Sequence, residues 1–251
     1  LIVIAGESFR DGGRLSRETA TSESYKTQKE ATDSHINFIR HLESSHDIKV
    51  DVTLSSYHTK YAPELVRWYN SSVNVVNRIF TQKLVEEKNQ HTTEYNRNYK
   101  TAIKMSLSKK ANYDFIFLFR FDLLLKDHLF EIFDPNWNTI RFPATWHWKP
   151  HLKTGKFECG FSYPVIVDTM MFIPKRLFHT IFEFHLDLKA WGELICNKKL
   201  GVGYEDLDVM INTMHRPNTA HQWNPLFKMI SRSEKSESLY ARREFCKWKP
   251  R

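Results

Sequence analysis

The run Tyr113-Asp114-Phe115-Ile116-Phe117-Leu118-Phe119-Arg120-Phe121-Asp122 limits what this chain can fold into more than any other segment. Its unbroken apolar stretch, Phe115 to Phe119, has no polar face to turn toward water, so it reads as a strand buried on both sides. It ends on Arg120 and Asp122, whose charges need partners or solvent. Leu1 to Ala5 is a second continuous apolar run of the same kind. Between such strands lie stretches of helical periodicity, and this alternation implies an α/β domain with a mostly parallel sheet.

Between the two runs, Lys26 to Glu43 carries Ile36, Phe38, Ile39 and Leu42 on one helical stripe, after a polar, Gly-containing loop from Gly6 to Tyr25. Lys49 to Ser56 alternates like a strand, Pro63 opens a short helix through Trp68, and Val73 to Phe80 reads as a third strand. Gln90 to Ala111 places Tyr95, Tyr99, Ala102, Ile103 and Leu107 at helical spacing. Beyond Asp122, Thr139 to Phe142 and Val165 to Ile173 are expected strands and Lys175 to Leu188 a helix. Pro143 to Pro164, rich in Trp, His, Lys and Gly, is a long irregular excursion of the kind that usually carries function. Tyr204 to Ile211 reads as the start of a further helix.

A chain of 251 residues with 41% hydrophobic and 14% aromatic content can bury a sizeable core in one domain. The net charge of +8 favours an anionic partner. Its Lys and Arg residues are dispersed rather than blocked, which points to a phosphate-bearing small molecule over nucleic acid. Cys159, Cys196 and Cys246 form neither a disulfide framework nor a zinc spacing. No apolar run has the length of a membrane-spanning helix. A cytoplasmic location is expected. The first residue is Leu rather than Met, as in a trimmed chain, and a removed N-terminal anchor would place the domain in the Golgi lumen instead.

Ligands of open α/β sheets bind beyond the carboxyl ends of the strands, where the strand order reverses. The first strand runs into Gly6-Glu7-Ser8-Phe9-Arg10-Asp11-Gly12-Gly13-Arg14. There Gly6 permits close backbone approach, and Arg10, Arg14 and Arg17 are either forked donors to phosphate or ordinary loop arginines. Asp122 is either a ligand for a hard cation on a diphosphate or a strand-end carboxylate paired with Arg120. Arg120 is either that partner or a direct phosphate contact. Glu205, Asp206 and Asp208 are three carboxylates within four residues, either a capped helix start or the reactive side of a site.

Together these features resemble a GT-A glycosyltransferase, by the order of elements over most of the chain. That superfamily closes its central strand on Asp-x-Asp, and here Arg-Phe-Asp stands instead, with Asp122 at the metal-binding position and Arg120 in place of the first Asp. Gly203-Tyr204-Glu205-Asp206 resembles the acceptor-site motif of inverting members, and Asp168 to Pro174 the strand before the acceptor half. The likeness is nearest to small divergent members from viruses, algae or microbes.

The resemblance implies a single GT-A-like, Rossmann-like domain whose mixed, mostly parallel central sheet is flanked by helices. Residues 1–125 would form the nucleotide-sugar half and 126–251 the acceptor and catalytic half. It implies sugar transfer from a UDP- or GDP-sugar, UDP favoured, to a hydroxyl of a glycan acceptor, with inversion and a carboxylate base. Asp206 is expected as base with Glu205 as helper, and Glu205 as base stays open; Asp208 is expected to be structural. Gly6, Arg10, Arg14, Arg120 and Asp122 would meet the donor diphosphate. Asp122 and His221 would hold Mn²⁺ or Mg²⁺, a dependence made uncertain by Arg120. Trp148 and Trp223 would stack on acceptor sugars, or else pack beneath the long loop. The alternatives are a nucleic-acid-binding protein, a metal-dependent nuclease and a non-catalytic carbohydrate-binding protein.

Overall fold

The computed structural model describes residues 1–11, 18–81, 99, 101–108, 112–143, 145–146, 165–166, 170–183, 206–210 and 226–229. In chain order the elements are β1 (Ile2–Ala5), β2 (Arg10–Asp11), β3 (Glu18–Thr19), α1 (Ser22–His46), β4 (Asp51–Tyr57), α2 (Ala62–Asn70) and β5 (Asn74–Thr81). Helical residues 101–107 (α3) follow. Then come β6 (Phe115–Arg120), β7 (Leu123–Leu125), α4 (Asp127–Ile132), β8 (Ile140–Phe142), β9 (Thr145–Trp146), β10 (Val165–Ile166), β11 (Met170–Pro174), α5 (Phe178–Glu183), β12 (Leu207–Val209) and β13 (Phe227–Met229).

Among the described residues, seven strands form the central sheet in the order β12-β8-β11-β6-β1-β4-β5. Only β11 runs against the others, pairing antiparallel with β6 and β8. The expected α/β class, with a mixed and mostly parallel sheet between helices, is the one observed. One row of paired residues crosses the whole sheet: Asp208, Arg141, Phe172, Phe117, Ile2, Val52 and Val75.

The continuous apolar runs exist because both faces of the central strands are covered. Side chains alternate across a strand. Ile2 and Ile4 of β1, with Phe115, Phe117 and Phe119 of β6, enter one core beneath α1, α2 and α4. Val3 and Ala5, with Ile116 and Leu118, enter a second core beneath α3. The first core is the aromatic one. Phe133 lies 5.3 Å from Phe117 and 5.8 Å from Phe172, both at steep ring angles that favour edge-to-face contact. At β4 and β5 the second face turns polar, and it is satisfied internally: Asn77 donates to Thr53 Oγ1 and Ser106 Oγ, which themselves lie 2.7 Å apart.

Several details depart from the sequence expectation, the unexpected helix α4 and strand β9 among them. Helix α1 starts at Ser22 because the Thr21 hydroxyl caps the free Ser24 N–H at 3.0 Å. The Gly6–Tyr25 loop contains the β2–β3 pair. Strand β7 was not expected, and it gains its partner from the distant β13. Of the helix expected from Tyr204 to Ile211, Leu207–Val209 form strand β12 instead, and Tyr204, Glu205 and Ile211 lie outside the described residues. Leu207-Asp208-Val209 also fits a period of two, and β8 offers a parallel edge to pair with.

His35 of α1 is fully buried, with ring nitrogens 2.6 Å from both Tyr69 Oη and the Leu123 carbonyl oxygen. The carbonyl can only accept, so Nε2–H donates to it and Nδ1 accepts from the Tyr69 hydroxyl. Burial lowers the His35 pKa to about 4, against smaller raising effects of the Leu123 hydrogen bond and Asp122. A lowered histidine pKa means the unfolded chain binds the extra proton below about 6.5, so stability falls as pH drops from there toward 4. We predict a loss of about 2 kcal/mol at pH 5 relative to pH 7.5 from this group. Urea denaturation at both pH values should show that loss in the wild type and not in His35→Gln, which should be less stable than wild type at pH 7.5.

Candidate functional site

Strand β1 leads first to β4 and β5 on one side, and the chain then returns to place β6 on its other side. The order therefore reverses between β1 and β6, and it is beyond the carboxyl ends at such a reversal that open α/β sheets place their ligand crevice. Ala5 and Arg120 are register partners, so the segments leaving the two strands emerge side by side. Gly6 adopts φ 115°, a conformation open to glycine, and donates its N–H to Ser55 O at 3.0 Å. The next turn is pinned by Ser8, whose N–H and hydroxyl lie 3.1 and 2.7 Å from Ser56 Oγ.

Phe9 has φ 54°, a left-handed backbone that costs a bulky residue on the order of 1–3 kcal/mol. Complete burial among Tyr25, Tyr61 and Trp68, with ring centroids 6.1, 5.3 and 5.9 Å away, offsets that strain. The conformation has a consequence one residue later, where Arg10 reaches the end of the neighbouring strand. Gln28 secures both segments: it accepts from Phe9 N–H at 2.9 Å and donates to Phe121 O at 3.0 Å.

Sequence reasoning missed Gln28, although a signal was present. The buried stripe of α1 runs Gln28, Thr32, His35, Ile39, Leu42, so its first half is polar at core positions. A buried polar side chain needs partners, and these three lie at the end of the helix nearest the crevice.

Asp122 is the innermost charge here, its side chain 4% exposed. Arg120 donates to both its oxygens, Nε to Oδ1 at 2.8 Å and Nη2 to Oδ2 at 2.5 Å. Arg10 Nη1 approaches Oδ2 to 3.5 Å. A buried carboxylate requires such pairing, and a planar guanidinium fork fits it on two points. The trio carries two positive charges and one negative. The described residues do not fit a divalent ion at Asp122, because both its oxygens already accept from Arg120 and the ion would sit against two guanidinium cations.

The structure does not bring Asp206 to this crevice, a correction to the two-sided site expected from sequence. Asp206 precedes β12 and therefore lies two rows below the shared row, whereas Arg120 lies three rows above it. Five rows and three strand spacings amount to about 17 Å along the strands and about 14 Å across them. At that opposite, amino edge Asp206 Oδ1 meets Arg176 Nη1 at 2.6 Å. Arg176 also donates from Nε to Asn138 Oδ1 at 2.7 Å. These contacts join the starts of β8 and β12 to the end of β11, a structural role. Arg14, Glu205, His221, Trp148 and Trp223 lie outside the described residues.

No protein family's sequence pattern matches the chain, and no curated protein does. Solved structures with a similar chain course include a glycosyltransferase involved in the glycosylation of the major capsid of PBCV-1. It has 12% identity, 96% of this chain and 98% of that one covered, and a TM-score of 0.40. The nucleoside-diphosphate-sugar pyrophosphorylase from Vibrio cholerae RC9 has 9% identity, coverage of 96% and 100%, and a TM-score of 0.49. The inositol-1-phosphate CTP transferase from T. maritima has 9% identity, coverage of 96% and 93%, and a TM-score of 0.47. Among the described residues, no helix is long and apolar enough to cross a membrane.

Two outcomes follow from the geometry. Gln28→Leu leaves the Phe9 N–H and Phe121 carbonyl buried without this partner, and chemical denaturation should show a loss of about 2–4 kcal/mol. Asp206→Asn should lower stability by about 1 kcal/mol through its pairing with Arg176. It should leave ligand binding at the β1–β6 crevice, measured by titration calorimetry, unchanged.

Proposed function

We propose that the protein transfers a sugar from a nucleoside-diphosphate donor, with a UDP-sugar the first candidate, to a hydroxyl of a glycan acceptor. The observation that carries this reading is the pair of guanidiniums, Arg10 and Arg120, held on buried Asp122 where β1 and β6 diverge. Such forks match phosphate oxygens in shape and charge. Gly6 and the pinned turn after it would let backbone approach the donor closely.

In the reaction, the acceptor hydroxyl oxygen bonds to the anomeric carbon as the bond from that carbon to the diphosphate oxygen breaks, and the hydroxyl proton passes through solvent to the released diphosphate. Negative charge grows on the departing diphosphate. Fixed cations lower the barrier when they meet charge where it develops, and cations already anchored by Asp122 need little rearrangement to do so. The expected Mn²⁺ or Mg²⁺ enters no step, since Asp122 is held by the arginines.

A donor screen tests the proposal. Nucleoside diphosphate should be released slowly from UDP- or GDP-sugars, and the same nucleotide should raise the melting temperature. Release of pyrophosphate from a nucleoside triphosphate and a sugar phosphate would assign nucleotidyl transfer instead. Stabilisation by oligonucleotides alone would replace the transferase reading with nucleic-acid binding.

A further inference from the structure

We propose that the donor diphosphate is held by Arg10 and Arg120 without a divalent cation, Asp122 serving to orient the two guanidiniums. This rests on the nucleotide-sugar reading above and specifies how that site takes its ligand.

The order of exposure supports the assignment. The Arg120 side chain is 18% exposed, that of Arg10 8%, and that of Asp122 4%. A metal-binding carboxylate has to present its oxygens toward the ion, yet here the carboxylate is the innermost of the three and the cation Arg120 the outermost. Both Asp122 oxygens accept from one fork, Arg120, and Oδ2 also faces Arg10. Placing a dication on Asp122 requires it to approach two guanidiniums at close range, with only one carboxylate between them. A diphosphate meets the opposite situation, because the trio's net positive charge attracts it and guanidinium forks match its oxygens in shape.

The position of the trio strengthens the point. Arg120 is the last residue of β6 and pairs with Ala5, the residue before Gly6. Arg120 is thus carried by the end of β6, and Arg10 by β2, which follows β1 through a turn fixed by Gln28 and Ser56. A rigid pair of cations reproduces the charge that a divalent ion would supply to a departing diphosphate.

Titration calorimetry with UDP and with GDP on metal-stripped protein, in excess chelator and in Mn²⁺, tests the inference. The expected dissociation constants in the two buffers agree within about threefold, a difference well under one tenfold step in affinity. The double variant Arg120→Gln with Asp122→Asn keeps a neutral hydrogen-bonding pair, and should weaken binding in chelator about tenfold or more. Arg120→Lys, which keeps the charge without the fork, should also weaken it. Affinity that rises tenfold or more with Mn²⁺ would overturn the metal-free clamp and leave the nucleotide-sugar reading standing. Absence of nucleotide binding in both buffers would overturn both. Unchanged affinity in the double variant, with circular dichroism showing it folded, would remove Arg120 from the site, and unchanged affinity in Arg120→Lys would overturn the forked contact.

Discussion

The pairing of β1 with β6 is the constraint on which the rest depends. Two strands buried on both faces must lie in the middle of the sheet, and their parallel register sets Ala5 beside Arg120. Everything chemical at the crevice follows from that adjacency. The segments leaving the strands meet there, Gln28 ties them together, and the Arg10–Asp122–Arg120 trio closes across the gap. The apolar alternation that builds two cores thus also positions the charges, because a strand packed on both sides can neither slip nor turn its end residues away.

The polar half of α1 links core to crevice. Gln28 and His35 occupy positions where an ordinary amphipathic helix buries aliphatic side chains. Each fixes backbone near the strand ends, Gln28 at Phe9 and Phe121, His35 at Leu123. Internal hydrogen bonds of this kind add modestly to stability but leave a large penalty if one partner is removed, so they specify a single arrangement of the two segments. The strained Phe9 backbone is held by the same surroundings, packed against Tyr25, Tyr61 and Trp68.

The central strands and their helices were legible in the sequence because burial on both faces leaves an unmistakable apolar run, as at Leu1 to Ala5 and Phe115 to Phe119. The candidate site was legible in half. Gly6, Arg10, Arg120 and Asp122 follow two such strands directly, so their shared edge could be read from topology rules alone. Asp206 could not be placed that way. Its neighbours Leu207, Asp208 and Val209 suit either a helix start or a short strand, and the choice fell to β8, which supplied an edge far away in sequence. With that choice Asp206 moved to the opposite edge and to Arg176. Gln28 escaped notice for another reason: its hydrogen bonds go to backbone, and the mark they leave is only a polar residue at a core position of α1.

We propose above that a nucleoside diphosphate binds where β1 and β6 end. A crystal structure with UDP or GDP bound tests it most directly. The diphosphate is expected beyond the carboxyl ends of these strands, its oxygens within hydrogen-bonding distance of Arg120 and Arg10. A nucleotide seated instead at the amino edge, beside Arg176 and Asp206, would contradict it.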